Sequence, residues 1–551
     1  MSYKKIILAF AILTNGIAVA NVGQELQYLE KSLPSEKKKF SEPKIRMPVS
    51  KKLKKQKTNV KILIKKIILI GNSPKYSNKL YQLIKPFEGK VLNLNDIQKI
   101  ADVITEWYRK HGFVTSLAII PPQKINNGIL KIRIIEGTIY KIKVYGNKRY
   151  PTKLFKKYLS PIKEEKPFNL NTLIKQLLIL NRFPFLNVNA YLTKGEKPLT
   201  SDVVVKVKER KRWQILLGYD NYGSENTSRN RFFISWKLGD INKYGDLLEV
   251  IALKGLDRVD HPNLEFISIN YKLPVSIKGD YFGIKYSHSY FKTIGPLSEL
   301  GYRGKGDYVS LYYQYPLLLT LNNSLDLRLG FSYKDIYDFI LNERNSKEPL
   351  RVIFAELNLE NTLFNGINTF NLKFSQGVKG FLGPISGRLS RFQEKLNFRK
   401  LELSINRLQP LAENLYAFFK TETQITDQRL PSSEMFILGG WGSVRGYKPA
   451  QYSGDKGISL SLELHYKISN FRIKRKKFLN ALDNYIFWDW GTVYINYHKE
   501  GEYAYKSATS IGIGSKLIWN KYFKTFIDIA LPQINDKFYK AIIYLRTQME
   551  F

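Results

Sequence analysis

Cysteine is absent from this chain of 551 residues. That excludes disulfides, thiolate metal sites and cysteine nucleophiles. Histidine is scarce, with His111, His261, His288, His465 and His498 the full set. They form no HExxH pattern, and each reads as an interior or surface residue rather than a ligand. No GK[ST] follows a glycine-rich run, so no phosphate loop is present, and no GxSxG marks a serine hydrolase. The carboxylates are scattered, and spacing singles out no acid–base pair. No catalytic residue, cofactor site or metal site is therefore expected, and the chain does not read as an enzyme. Past the first twenty residues no apolar run approaches the ~18 residues of a spanning helix. Ile62 to Ile70 comes nearest, and Lys65 and Lys66 interrupt it. Acidic residues are also short, 47 against 88 Lys plus Arg, for a net charge of +41. Such a balance suits a nucleic-acid binder, but the N-terminus argues for a basic exported protein with no nucleic-acid partner.

Residues 1–20 read MSYKKIILAFAILTNGIAVA. Lys4 and Lys5 form a positive head, Ile6 to Leu13 an apolar core, and Ala18-Val19-Ala20 a small-x-small cleavage site. This is the pattern of a secretory signal peptide, with Asn21 expected to start the mature protein. An exported chain without an apolar helix enters a membrane only as a closed barrel.

Residues 21–33 predict a short amphipathic helix with Val22, Leu26 and Leu29 on one face and Leu33 a turn further on. Residues 34–58 hold Pro34, Pro43 and Pro48 among many lysines. They read as a solvated tether, with contact to anionic lipid or an acidic partner as the alternative. Residues 59–138 predict β-α-α-β-β: a strand over 60–70, helices over 76–85 and 94–111, and strands over 113–120 and 129–135. Asn95 or Asp96 starts the longer helix and Gly112 stops it. Residues 139–210 repeat that order, with strands over 139–145, 186–193 and 202–207, a helix opened by Pro151 and another over 169–180. A repeat of this length is a repeated domain, not a solenoid unit.

After Trp213 the helical period gives way to a period of two. Sixteen strands are predicted to the C-terminus over residues 211–551, about 21 residues for each strand with its connection, the spacing of a transmembrane barrel. Ile458, Leu460, Leu462, Leu464 and Tyr466 alternate with Ser459, Ser461, Glu463 and His465. Leu325 to Lys334 and Ile543 to Phe551 alternate in the same way. One face suits lipid and the other a wet lumen. A soluble β-sandwich shares the period but seldom sustains sixteen strands. The fold class is thus α+β domains followed by an all-β, antiparallel, 16-stranded transmembrane barrel.

The stretch Val444-Arg445-Gly446-Tyr447 falls in a long loop between the eleventh and twelfth predicted strands. It closely resembles the hallmark loop of the TpsB family, the two-partner secretion transporters of hemolysin activator (ShlB) type within the outer-membrane assembly superfamily. Phe487, Asp489 and Gly491 in the next strand resemble that family's F-x-D-x-G barrel motif. Gly112-Phe113-Val114, Pro121-Pro122-Gln123, Gly128 to Arg133 and Glu136-Gly137 resemble its first polypeptide-transport-associated (POTRA) domain. Asp220-Asn221-Tyr222-Gly223 with Arg229 resembles the start of its barrel. Trp441 departs from the pattern, where a smaller residue such as proline is expected, and this puts the local loop shape in question.

The residues support a physical reading beside the resemblance. An arginine on a loop that folds into a lumen needs a partner, because an unpaired charge in a confined site is costly. In the alternating register Tyr485, Phe487, Asp489 and Gly491 share one face, and Ile486, Trp488 and Trp490 the other. The second face is apolar, so Asp489 points inward and can take Arg445 in a bidentate pair. Gly446 permits positive φ or close approach. The bland alternative is a surface loop cation paired with water.

The resemblance implies an outer-membrane protein with both POTRA domains (59–138 and 139–210) in the periplasm. They would capture a large secreted exoprotein of TpsA type, with an N-terminal secretion domain, through strand edges and grooves beside helices. The client would cross the barrel and fold outside, with no nucleotide consumed. Residues 21–33 resemble in position the helix that plugs the pore in this family. Outer-membrane lipid is the other expected partner, and a monomer the expected state. Hemolysin, adhesin and contact-inhibition toxin all remain open as clients, as does client activation. The principal rival is an assembly factor that inserts other barrels, which usually carries more POTRA repeats. A passive porin or adhesin has no need of the N-terminal units or the arginine loop.

Overall fold

A computed structural model of the chain describes residues 22–33, 45–46, 60–257, 263–380, 390–391, 394–473, 476–534 and 537–551. The signal segment 1–20, most of the tether 34–58 and His261 lie outside the described residues. The described chain divides into two compact units. One holds the N-terminal helix with residues 212–276 and 280–551, the other the region between helix and barrel with residues 277–279.

In the second unit the first half builds a three-stranded sheet from Lys66–Ile70, Ile129–Ile135 and Leu117–Ile119. Its order places Ile129–Ile135 in the centre, parallel to the first strand and antiparallel to the last. Helix Leu94–Lys110 covers it, burying Ile97, Ile100, Ala101, Ile104 and Tyr108 at helical spacing. The predicted strand over 60–70 is two strands, Lys61–Ile64 and Lys66–Ile70, and an additional strand, Lys90–Asn93, pairs with the first of them. The helix start also differs from the expectation. Asn93 caps it, in a reciprocal box with Asp96. A cap needs extended backbone and a side-chain acceptor reaching the third helical N–H, and Asn93 meets both conditions. Gly112 ends the helix at φ +88°.

The second half forms a sheet from Thr138–Tyr145, Thr200–Glu209 and Leu186–Lys194. Helices Thr152–Tyr158 and Leu170–Asn181 fall where the sequence places them. A fourth strand is Ile45–Arg46, from the region expected to be a solvated tether. It pairs in parallel with Ala190 and Tyr191. Its two residues satisfy backbone groups at the sheet edge, a role that lysine and proline content does not reveal.

From Trp213 onward sixteen antiparallel strands close into a barrel, with the first, Trp213–Asp220, paired to the last, Ile542–Glu550. Each predicted strand is present. Two-residue turns with positive φ at both positions, Leu341-Asn342 and Phe364-Asn365, join successive strands tightly; such turns match the right-handed twist of a hairpin. The alternation sorts as the sequence requires. Leu462, Leu464, Ile486 and Ile543 are exposed on the outer face, and Ser459, His465, Asp489 and Tyr544 are buried on the inner.

Candidate functional site

The loop 426–455 joins the eleventh strand, Leu415–Ile425, to the twelfth, Lys456–Ser469. It is buried nearly throughout, with its own short hairpin between Phe436–Leu438 and Tyr452–Gly454. Val444 packs with Phe436, Leu438, Tyr447, Val493 and Ala508. This apolar side sets the loop against the inner wall and brings Arg445 to the barrel motif.

Arg445 and Asp489 meet in the predicted pair. Nε donates to Asp489 Oδ2 at 2.7 Å and Nη2 to Asp489 Oδ1 at 2.8 Å. The Arg445 backbone N–H adds a bond to Oδ2 at 3.1 Å. The guanidinium also lies over the Phe487 ring, 3.5 Å from its centroid. Gly491 leaves the space that Leu438 fills, since a Cβ there would stand 2.4 Å from Leu438 Cδ1. The three motif positions of the wall therefore act differently: Asp489 binds the charge, Phe487 floors it, and Gly491 admits the loop. Asp489 is fully buried and Arg445 is 6% exposed, so the pair is strong only because every donor has a partner.

Gly446 has φ +88°, and its N–H donates to Tyr544 Oη at 2.9 Å. Tyr447 Oη donates to the Gln533 carbonyl at 2.6 Å and accepts from the Thr509 N–H at 3.2 Å. The tetrapeptide thus reaches strands thirteen to sixteen. Trp441, the departure from the family pattern, stacks on Tyr222 with centroids 4.7 Å apart and donates Nε1 to Asp528 Oδ2 at 3.1 Å. The larger side chain adds contacts to the wall.

The charge cluster extends beyond the motif residues that the sequence marks. Glu463 Oε1 lies 2.9 Å from Arg445 Nη2, and Asp528 Oδ1 3.5 Å from Nη1. Ser461 Oγ accepts from Nη2 at 3.1 Å and donates to Asp489 Oδ1 at 2.6 Å. The available signal was an acidic residue at an inward position of an otherwise alternating strand, as Glu463 and Asp528 both are.

The N-terminal helix, Val22–Ser32, lies among inward-facing residues of the same barrel. Leu29 and Leu33 pack with Phe233, Leu253, Leu264, Phe266, Phe291 and Ile336. Lys31 pairs with Glu422 at 2.7 Å on the eleventh strand, and Glu30 with Lys285 at 2.6 Å on the fifth. Ion pairs to distant strands mean that the helix crosses the lumen. Gln24 Nε2 donates to Ser453 Oγ at 3.1 Å and Gln27 to the Ser433 carbonyl, both in the arginine loop. The helix end meets a second charge cluster. Asp220 Oδ1 accepts from Arg231 Nε and Oδ2 from Arg546 Nη2, each at 2.7 Å, and Arg231 Nη2 reaches Ser32 Oγ at 3.2 Å. Arg229, singled out with the start of the barrel, is exposed; Arg231, two residues on, faces inward and carries the contact.

The family model described as haemolysin secretion/activation protein ShlB/FhaC/HecB matches residues 200–517, and the ShlB-type POTRA domain matches residues 62–137. The heme/hemopexin transporter protein HuxB of Haemophilus influenzae (strain 86-028NP) is 24% identical over 487 residues, 85% of this chain and 82% of its own. The outer membrane transporter CdiB of Escherichia coli O6:K15:H31 (strain 536 / UPEC) is 24% identical over 414 residues, 74% of this chain and 69% of its own. The solved structure of CdiB from Escherichia coli superposes with a TM-score of 0.75 at 20% identity, covering 100% of this chain and 99% of that one.

Proposed function

The chain belongs to the haemolysin secretion/activation family ShlB/FhaC/HecB, the TpsB transporters of the outer membrane, and on that premise we propose that it captures one unfolded exoprotein in the periplasm and exports it through its own barrel. The POTRA domains lie in the periplasm and supply the capture surface. Exposed edges such as Leu117–Ile119, with Leu117 and Ile119 partly exposed, offer backbone groups to an extended client. The client is a large secreted protein with an N-terminal secretion domain, possession of which separates it from other periplasmic chains. Similarity to a heme/hemopexin transporter protein, HuxB, and to a hemolysin transporter protein, HpmB, supports a protein client of this kind.

The observation that carries this reading is the loop held inside the lumen by Arg445 and Asp489, next to a helix that crosses the same space. A passive pore needs neither. Both are held by hydrogen bonds and ion pairs rather than by covalent links, so a chain that offers competing contacts can displace them. Folding outside the cell then biases the direction of movement, since a folded client cannot return.

The test is deletion of the gene, with secreted and outer-membrane proteomes compared against wild type. The expected result is loss of one very large secreted protein with other barrels unchanged. Broad loss of outer-membrane barrels would instead assign the chain to barrel assembly.

A further inference from the structure

His465 faces inward from the twelfth strand, two residues from Glu463. Its Nε2 lies 2.9 Å from Glu463 Oε2 and its Nδ1 3.1 Å from Asp483 Oδ1. Tyr416 and Tyr485 sandwich the ring, both with centroids 4.4 Å away and at 13° and 25°. The sandwich leaves the imidazole one plane, and in that plane both nitrogens meet carboxylate oxygens. An ionised carboxylate only accepts hydrogen bonds, whereas a neutral imidazole donates from one nitrogen alone. Two ring nitrogens each facing a carboxylate therefore call for the doubly protonated ring, which the two tyrosine faces also favour.

We propose that His465 is an imidazolium that positions Glu463 against Arg445, extending the loop anchor into a relay from Arg445 through Glu463 and His465 to Asp483. The proposal deepens the export reading and rests on it, because it concerns how firmly the loop is held. The surrounding charges agree. Glu463, Asp489 and Asp528 share the single guanidinium of Arg445, an excess of negative charge in a buried cluster. Asp483 is further held by Tyr416 Oη and stands opposite Lys516 on the fourteenth strand. Lys467, on the same strand as His465, also stands opposite Asp483. Among the described residues none of the lysines reaches Glu463. The imidazolium is then the second cation that Glu463 requires. His465 acts through Glu463: its ring nitrogens meet Glu463 and Asp483, and its faces meet Tyr416 and Tyr485.

Two measurements on purified full-length protein test this without any client, so they stand or fall separately from the export reading. In 15N-histidine spectra at about neutral pH, one imidazole with both nitrogens protonated is expected, and His465→Gln removes that signal. A singly protonated ring assigned to His465 overturns the proposal. In planar bilayers His465→Gln is expected to open several-fold more often than wild type, and His465→Lys, which restores the charge, to return most of the way. A Gln variant that behaves as wild type, or a Lys variant no better than Gln, overturns it as well. Heat-modifiable mobility on gels verifies that each variant is a folded barrel.

Discussion

Single side chains decide how firmly the loop is held. Arg445→Ala removes the donor set that binds Asp489 and leaves three carboxylates facing one another, so export is expected to fall strongly or vanish while the barrel still inserts; secretion assays with outer-membrane fractionation measure both. Asp489→Asn keeps the shape and loses the charge. Breaking a buried pair on one side costs about 3–5 kcal/mol, and Glu463 and Asp528 offset part of that here, so about 3 kcal/mol of loop attachment is expected to go. Limited proteolysis of loop 426–455 reads the change as much faster cleavage. Gly446→Ala tests backbone instead of charge. Gly446 sits at φ +88°, and an added Cβ would meet Pro532 atoms at 3.1 Å. Alanine is therefore expected to weaken the loop by about 1–2 kcal/mol, seen as a lowered melting temperature without loss of the Arg445 pair. The Arg445–Asp489 pair was legible in the sequence because motif and strand register agree. Glu463 and Asp528 were not singled out, because alternation turns many acidic side chains inward and does not say which of them the loop's guanidinium reaches.

Among the elements, the lumenal helix is the most direct to test. Deletion of residues 21–33 removes the pairs to Lys285 and Glu422, and single-channel recordings are expected to show a pore open far more of the time. Unchanged opening would rule out the helix as a plug. A second element-level prediction concerns the turn over 147–150. Glu209 accepts from the N–H groups of Lys148, Arg149 and Tyr150 at 2.9, 3.0 and 3.2 Å. Burial pushes its carboxyl up, but those N–H groups and the Arg149 guanidinium outweigh it and hold the carboxyl below its usual range. A lowered pKa in the fold means stability that is complete above the unfolded value and is lost as pH falls through the folded one. Amide-exchange protection at 148–150 is thus expected to hold at neutral pH and to drop below about pH 4, and Glu209→Gln to lose it at neutral pH. The barrel strands were legible one by one, since lipid outside and water inside impose a strict period of two. Strands Lys61–Ile64 and Lys66–Ile70 read as one, because a single residue, Lys65, separates them, and Lys90–Asn93 was hidden because four residues running straight into a helix cap carry too short a period. Ile45–Arg46 was hidden because two residues carry no period.

For the whole molecule the question is the path of the client. The first and last strands pair over Leu216↔Glu550 to Asp220↔Arg546, five residue pairs, against eight between the first and second. If the client travels inside the barrel, that seam need not part. Leu216→Cys with Glu550→Cys, opposite each other in the register, places a disulfide across it, and export is expected to proceed as well oxidised as reduced. Export that stops on oxidation would move the path to the seam. The natural absence of cysteine makes the experiment clean, because the two introduced thiols have no competitor. The helix and the loop also touch, through Gln24 to Ser453 and Gln27 to Ser433. Stoppers that share contacts do not leave independently, for each departure strips bonds from the other. The outer membrane around this protein is accordingly expected to admit a bulky antibiotic in rare, joint openings rather than through two separate leaks, which antibiotic susceptibility of helix-deleted and loop-weakened variants would measure.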